Sequence, residues 1–424
     1  MLAAEKTENV LLKRLLFTLG VIVVFRLGVH VPVPGVNTKA LVELANSGQQ
    51  GLLKMLNLFS GGALGRFSVF GLGIMPYISA SIIVQLMTVV LPALEQMQKE
   101  GGVGRQKLNR VTRLLAVVLA LVQGFFFASG LESAPETAAG AAVLTPGLGF
   151  RMLASLLLTG GTIFVMWLGE QITEKGLGNG TSLLIFAGIV ASFPSGMGVV
   201  ISAVRENSIS VLVAAFIVLS LALMVFGIAF VEQSYRKIPI NYAKRVSGNR
   251  VMGGMASFLP LKVNMAGVIP PIFASTLLAV PATLGGFSGN SRNLWLDTLM
   301  PNQWLYVTLF ALLVLFFGFF YTSVTFKPDD VAENLKRQNA YIPGVRPGTE
   351  TSEAVSELVT KLTLVGALYM NVVCLLPSMV DYTSGFQLMV GGTSVLIVVS
   401  VGLETIRQVS AQIANKKYDV LFFG

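Results

Sequence analysis

About ten stretches of roughly 18 or more mostly apolar residues run through this chain, each long enough to cross a bilayer as a helix. They lie near 13–31, 70–91, 111–131, 150–169, 180–201, 209–231, 262–284, 303–325, 356–377 and 386–405. Lipid offers no water to backbone N–H and C=O groups, so a spanning stretch must satisfy them internally, as a helix does. The chain is 54% hydrophobic and only 12% charged over 424 residues, which excludes an ordinary soluble domain. One cysteine, Cys374, and one histidine, His30, exclude a disulfide framework and make a zinc site improbable. The first apolar run ends in His30-Val31-Pro32-Val33-Pro34-Gly35 without a small-residue cleavage pattern, so it reads as a retained span.

The basic residues sort to one side of these spans. Lys13 and Arg14 precede the first, and Lys99, Arg105, Lys107, Arg110 and Arg113 lie between the second and third. Arg236, Lys237, Lys244, Arg245, Arg250 and Lys262 lie between the sixth and seventh. Lys327, Lys336, Arg337, Arg346 and Lys361 lie between the eighth and ninth, and Lys416 and Lys417 lie in the tail. The opposite loops hold few, among them Lys39, Lys54, Arg66, Arg151, Arg205 and Arg292. The positive-inside rule therefore places both termini in the cytosol. The formal charge of +9 is mostly this orientation signal, with contact to anionic lipids or an acidic partner as a second use.

Two phrases repeat in the same order. Gly73-Ile74-Met75-Pro76-Tyr77-Ile78-Ser79-Ala80-Ser81 returns as Gly267-Val268-Ile269-Pro270-Pro271-Ile272-Phe273-Ala274-Ser275. Gly180-Thr181-Ser182-Leu183-Leu184-Ile185 returns as Gly392-Thr393-Ser394-Val395-Leu396-Ile397. A duplicated half with an odd number of spans enters the membrane inverted. The expected fold class is an all-α polytopic membrane protein: ten transmembrane helices in two inverted five-helix halves, 1–205 and 206–424.

Ile74 and Ile78 are four apart, as are Thr181 and Ile185, so each pair shares a helix face. Ile272 is equivalent to Ile78 and Ile397 to Ile185. Under the pseudo-symmetry these side chains converge near mid-membrane as a water-poor aliphatic constriction; ordinary helix packing is the competing reading. Pro76 and the Pro270-Pro271 pair are expected to break or bend their helices at that level. The small-residue segment Asn57 to Ser68 reads either as a surface loop or as a short helix folded back into the pore as a movable stopper. The loops at about 232–260 and 327–352 are longer than a helix connection needs. Pro and Gly spacing over Tyr341 to Gly348 fixes Arg346 on a stiff, projecting hairpin or turn, either as orientation signal or as a basic dock.

No phosphate loop, zinc-protease motif or nucleophile–base pair stands in the sequence, so neither catalysis nor a cofactor is expected. Gly176-Leu177-Gly178-Asn179-Gly180 reads as a helix-start turn. The ionisable residues lie near span ends. Arg26 sits near the outer end of the first helix, where it can snorkel, and Glu170, Glu232 and Glu404 lie near cytosolic ends. That pattern suits a passive conduit better than an ion-coupled pump. A secondary transporter of a small solute, which shares inverted repeats, is the alternative.

The ordered phrases Asn57 to Leu64, Gly73 to Ser81, Trp167-Leu168-Gly169-Glu170-Gln171-Ile172-Thr173, Leu261 to Pro270, Val345-Arg346-Pro347-Gly348 and Gly391 to Ser394 resemble the SecY family over essentially the full length. The resemblance implies a bacterial inner-membrane channel for unfolded polypeptide, its two halves forming an hourglass pore. Its pore-ring positions match Ile74, Ile78, Thr181, Ile185, Ile272 and Ile397. Thr181 departs from the aliphatic residue usual there. The family's plug, about 57–67, matches Phe59, Ser60, Gly61, Gly62, Ala63, Leu64, Gly65, Arg66 and Phe67. Its lateral gate matches Ser79 and Gln85 on one side, Asn264 and Val280 on the other. Arg236, Lys237, Lys244, Arg245, Arg250 and Arg346 resemble the docking surface for the SecA motor ATPase or the ribosome. SecE-like and SecG-like subunits, signal peptides and unfolded secretory or membrane polypeptides are the other implied partners.

Overall fold

The computed structural model describes residues 2–46, 60–133, 140–242, 245–247, 250–252, 256–285, 303–384 and 391–423. Its helices are α1 (Leu2–Gly28), α2 (Thr38–Asn46), α3 (Met75–Val90), α4 (Pro92–Lys99), α5 (Gly102–Glu132), α6 (Leu148–Lys175), α7 (Gly180–Val190), α8 (Phe193–Arg205) and α9 (Val211–Glu232). Four strands follow: β1 (Tyr235–Tyr242), β2 (Arg245–Ser247), β3 (Arg250–Met252) and β4 (Ala256–Lys262). Then come α10 (Ile269–Gly285), α11 (Trp304–Thr325), α12 (Pro328–Arg337), β5 (Ala340–Tyr341), α13 (Thr349–Ser384) and α14 (Gly392–Phe423).

A helix lies over every expected apolar stretch. Among the described residues, seven helical segments are long and apolar enough to cross a membrane, and the bent pair α3–α4 makes up to eight. Helices α1 and α10 cover the two other stretches. The expected span at 180–201 is one crossing segment, 180–205, interrupted by a short turn. It breaks at Ala191–Ser192, because Pro194 in the first turn of α8 has no N–H with which to continue α7.

Packing follows residue size. In α5, Thr112, Ala116, Ala120, Gly124 and Ala128 recur every fourth residue and are buried, a small-residue ridge that brings α6 close. The Ser155 hydroxyl of α6 crosses that contact and donates to the Leu121 carbonyl at 2.8 Å. Helix α9 does the opposite. Leu212, Phe216, Leu219, Leu223, Phe226 and Phe230 form an exposed ridge that water would penalise and lipid accommodates.

The basic loops are not separate. Strand β1 pairs antiparallel with β4, from Tyr235 opposite Lys262 to Asn241 opposite Ala256. Its tip also pairs with β5, placing Asn241 opposite Tyr341. Both long loops thus share one three-stranded sheet, in the order β4-β1-β5. Ile238, Leu261 and Ile342 bury themselves against Val355 and Val359 of α13.

Each Gly-Thr-Ser phrase starts a helix against its predecessor. A Cβ on Gly180 would strike the Gly169 carbonyl of α6, and one on Gly392 would strike the Val373 carbonyl and Cys374 backbone of α13. Gly180→Ala and Gly392→Ala should each cost about 1–3 kcal/mol by overpacking, seen as lower thermal stability of the purified chain. Gly198→Ala and Gly402→Ala, which meet open space, should not.

Candidate functional site: an apolar waist and its seam

Four helices begin at the repeated phrases. Pro76 sits in the first turn of α3, with Ile74 as the preceding cap residue. Pro270 and Pro271 likewise occupy the first turn of α10. The prolines therefore start these helices rather than bend them, because the first turn needs no N–H from proline and its fixed φ suits the helix. Helix α7 starts at Gly180, where the Asn179 side-chain oxygen accepts the Thr181 N–H at 3.1 Å. Helix α14 starts at Gly392, with the Ser394 N–H bonded to the Gly391 carbonyl at 3.0 Å.

The first two turns of these helices carry the candidate ring residues. Ile74, Ile185 and Ile397 are buried, and Ile78 and Ile272 half-buried, all in one apolar cluster with Phe25, Phe70, Leu184 and Val401. Five of the six positions come together. The sixth, Thr181, is polar and half-buried: its hydroxyl donates to Asn179 Oδ1 at 2.6 Å, so it completes a helix cap.

Ala63 of the candidate stopper joins the same cluster and is fully buried. Phe59 lies outside the described residues. From Ser60 onward the segment is a series of turns packed inside the bundle, neither the surface loop nor the short helix of the two readings. Left-handed backbone at Gly61 (φ 66°), Gly62 (φ 89°) and Phe67 (φ 46°) rules a helix out. Ser60 Oγ accepts the Leu64 N–H at 3.1 Å, and the Ser68 N–H reaches the Ala63 carbonyl at 2.9 Å. Leu64 and Phe67 are buried, Gly65 is half-buried and Arg66 faces out. Arg26 does not snorkel as expected; its guanidinium turns inward and donates to the Gly61 carbonyl at 2.9 Å.

Helix α3 meets α10 and α11 along an apolar seam. Ile78, Ile82 and Leu86 face Ile269, Phe273, Leu313 and Phe317 in one cluster, with the Phe273 and Phe317 rings edge-to-face at 5.5 Å. The predicted polar gate residues do not bridge it. The Ser79 hydroxyl donates to the Met75 carbonyl (3.1 Å) and the Gln85 amide to Ser81 Oγ (3.3 Å), both inside α3. Asn264 is buried in its own half. Its amide donates to Glu232 Oε1 (2.7 Å) and to the Gly267 carbonyl (3.2 Å), and its Oδ1 accepts the Gly267 N–H (3.1 Å). The Val280 side chain lies outside the described residues. The fourfold spacing of Ile78, Ile82 and Leu86, and of Ile269 and Phe273, was the signal that could have revealed the seam.

On the basic face, Arg236 and Lys237 project from β1, and Lys237 Nζ sits 4.8 Å above the Phe258 ring. The Arg346 side chain is 87% exposed and 3.8 Å from Glu350. Arg245 and Arg250 belong to the β2–β3 ribbon, but their side chains, and all of Lys244, lie outside the described residues. Nothing in the sequence pattern marked Arg407. It donates to the Glu232 carbonyl at 2.8 Å and lies 5.5 Å over the Tyr235 ring, clamping α14 to the root of the sheet. Among the described residues no group of three or more His, Cys, Asp or Glu is placed to hold a metal ion.

These features define a polytopic helical membrane protein in which four helix starts and a non-helical segment share one apolar cluster. The family model described as SecY matches residues 68–406. The chain belongs to the SecY family. It is 45% identical over 412 residues to the protein translocase subunit SecY of Escherichia coli (strain K12), covering 96% of this chain and 93% of that one. Its fold matches the structure of a protein-conducting channel with a TM-score of 0.70 at 16% identity, over 98% of this chain and 95% of that one. It also matches, at a TM-score of 0.69 and 18% identity over 98% of this chain and 95% of that one, a SecY structure whose plug domain is described as stabilising the closed state of the translocation channel and maintaining a membrane seal.

Removing the Glu232 carboxylate leaves the buried Asn264 amide short of an acceptor. Glu232→Ala should cost about 1–3 kcal/mol in thermal unfolding of the purified chain, and Glu232→Gln, which keeps an acceptor, much less.

Proposed function

We propose that this chain is a protein-conducting channel of the bacterial inner membrane, with both termini cytosolic. It carries unfolded polypeptides across and releases apolar segments sideways into lipid. One observation carries the reading: isoleucines from the starts of α3, α7, α10 and α14 share an apolar cluster with Ala63 of the turn segment. Helices from residues 1–205 and 206–424 contribute to it together, as two mirrored halves round one pore would require.

Ile74, Ile78, Ile185, Ile272 and Ile397 act as the constriction, with Thr181 contributing its cap rather than a seal. Residues 57–67 act as the stopper. An aliphatic ring fits around a passing chain without hydrogen-bonding it, so it discriminates poorly between sequences and excludes water when empty. The seam between α3 and α10–α11 is the exit. An apolar segment of about 20 residues gains by leaving through it, whereas a charge at a helix centre costs about 2.5–3.5 kcal/mol on insertion scales. Polar chains continue through. Ser79, Gln85, Asn264 and Val280 flank this exit in the family resemblance. Here Asn264 anchors the start of α10, and Ser79 and Gln85 bond within α3.

The channel itself works without a cofactor, and its energy comes from partners. Arg236, Lys237, Lys244, Arg245, Arg250 and Arg346 offer a basic dock on a sheet that packs against α13, suited to a SecA-like motor or a ribosome. SecE-like and SecG-like subunits and anionic lipids surround the bundle. The relatives named above are translocase subunits and protein-conducting channels, so the solute-transporter alternative gains no support from them.

The test is a stalled secretory precursor and single cysteines in a Cys374→Ser background. Cysteines at Ile78 and Ile272 should form adducts with the precursor, and cysteines at Leu219 and Phe226 on the exposed α9 ridge should not. The reverse pattern would overturn the reading. Cross-linking Ile82→Cys to Phe273→Cys across the seam should block signal-peptide entry.

A further inference from the structure

The turn segment in the apolar cluster is held by a charged side chain from α1. Arg26 lies in the last turn of α1, and its Nη1 donates to the Gly61 carbonyl at 2.9 Å. Gly61 is buried, and its carbonyl belongs to no helix. A buried carbonyl in a non-helical turn needs a donor, and a guanidinium donor gives a stronger bond than a neutral one. The fit is close on both sides. A Cβ at Gly61 would lie 2.8 Å from Gly188 Cα of α7 and 2.9 Å from Arg26 Nη1, and the φ of 66° favours glycine independently.

We propose that Arg26 is the latch of the stopper: its bond to the Gly61 carbonyl holds the segment in the waist at rest, and breaking that bond frees the segment to leave. Arg26 is a positioning residue, since it touches the stopper rather than the chain in transit. The inference rests on the channel reading above. Loss of a charge-assisted bond of this kind shifts the seated-to-released balance about ten-fold or more.

The full chain is reconstituted in proteoliposomes with its membrane partners in four forms: unaltered, lacking residues 59–67, Arg26→Ala and Arg26→Gln. Potassium leak is read from each in the absence of precursor. The deletion should leak, Arg26→Ala should leak measurably more than the unaltered chain, and Arg26→Gln, which keeps a neutral donor, should fall between those two. A tight deletion form overturns the stopper reading itself. A leaky deletion form with a tight Arg26→Ala overturns the latch alone. Seating is read independently with Ala63→Cys in the Cys374→Ser background, since Ala63 is fully buried. Arg26→Ala, or Arg26→Gln should the alanine form fail to accumulate, should speed its modification by a membrane-impermeant maleimide about ten-fold or more. An unchanged rate overturns the latch.

Discussion

Residues 60–74 form a non-helical segment buried within a bundle of membrane helices, and the backbone hydrogen bonds of that segment constrain everything around it. An unpaired backbone group at this depth costs several kcal/mol, so the segment can exist only where protein supplies its partners. The loop after α1 supplies two of them: the Val33 N–H reaches the Phe67 carbonyl at 3.0 Å, and the Val69 N–H reaches the Val31 carbonyl at 2.9 Å. Turns within the segment supply others, such as Gly71 N–H to the Ser68 carbonyl at 2.8 Å and Gly73 N–H to the Phe70 carbonyl at 2.9 Å. The surrounding helices must then yield space. Gly28 of α1 faces the Phe70 ring, Gly161 of α6 faces the Val69 carbonyl, and Gly188 of α7 faces Gly61. A side chain at Gly28 or Gly161 would displace the segment and with it the start of α3.

The repeated phrases make physical sense as two devices used twice. The first is a helix start marked by proline after a glycine with positive φ, at Gly73 (55°) and Gly267 (64°). It begins a spanning helix with the proline on its first turn and ends the preceding turn in a conformation that glycine adopts freely. The second is the Gly-Thr-Ser start, in which glycine seats one helix against the backbone of its neighbour. The copies diverge where their surroundings do. Thr393 is buried, whereas Thr181 is half-exposed and caps through Asn179.

Helices were legible in the sequence because their hydropathy and length are local properties. The glycine-rich turn at Gly176 to Gly180 was legible for the same reason. The sheet was not. β1 contains Pro239 and alternates weakly, β5 is two residues long, and their partnership joins Asn241 to Tyr341 across the whole of α10 and α11. Positive-inside bias already accounts for the arginines and lysines there, and neither loop carries the alternation that marks a strand. Arg26 was misread because snorkelling and an inward bond both suit an arginine near a helix end. Only the position of Gly61, 35 residues away, decides between them. Asn264 is a similar case: its partner Glu232 is 32 residues distant and lies at the end of another helix.

The two flanks of α10 are joined to the rest of the protein by different physics. Its beginning is fastened to its own half by directional bonds. Asn264 links Glu232 to Gly267, and the Val263 N–H reaches the Ser234 carbonyl at 3.2 Å. Its flank against α3 is held by Ile78, Ile82, Leu86, Ile269 and Phe273, side chains that attract only by dispersion. Breaking the bonds of a buried amide leaves its polar groups unpaired at a cost, but aliphatic contacts are readily exchanged, because lipid tails or an apolar peptide replace them at nearly equal energy. A wall that must open sideways without unfolding should therefore be polar at its hinge and aliphatic at its edge. Helix α10 has that division, so it should move with the second half and part from α3.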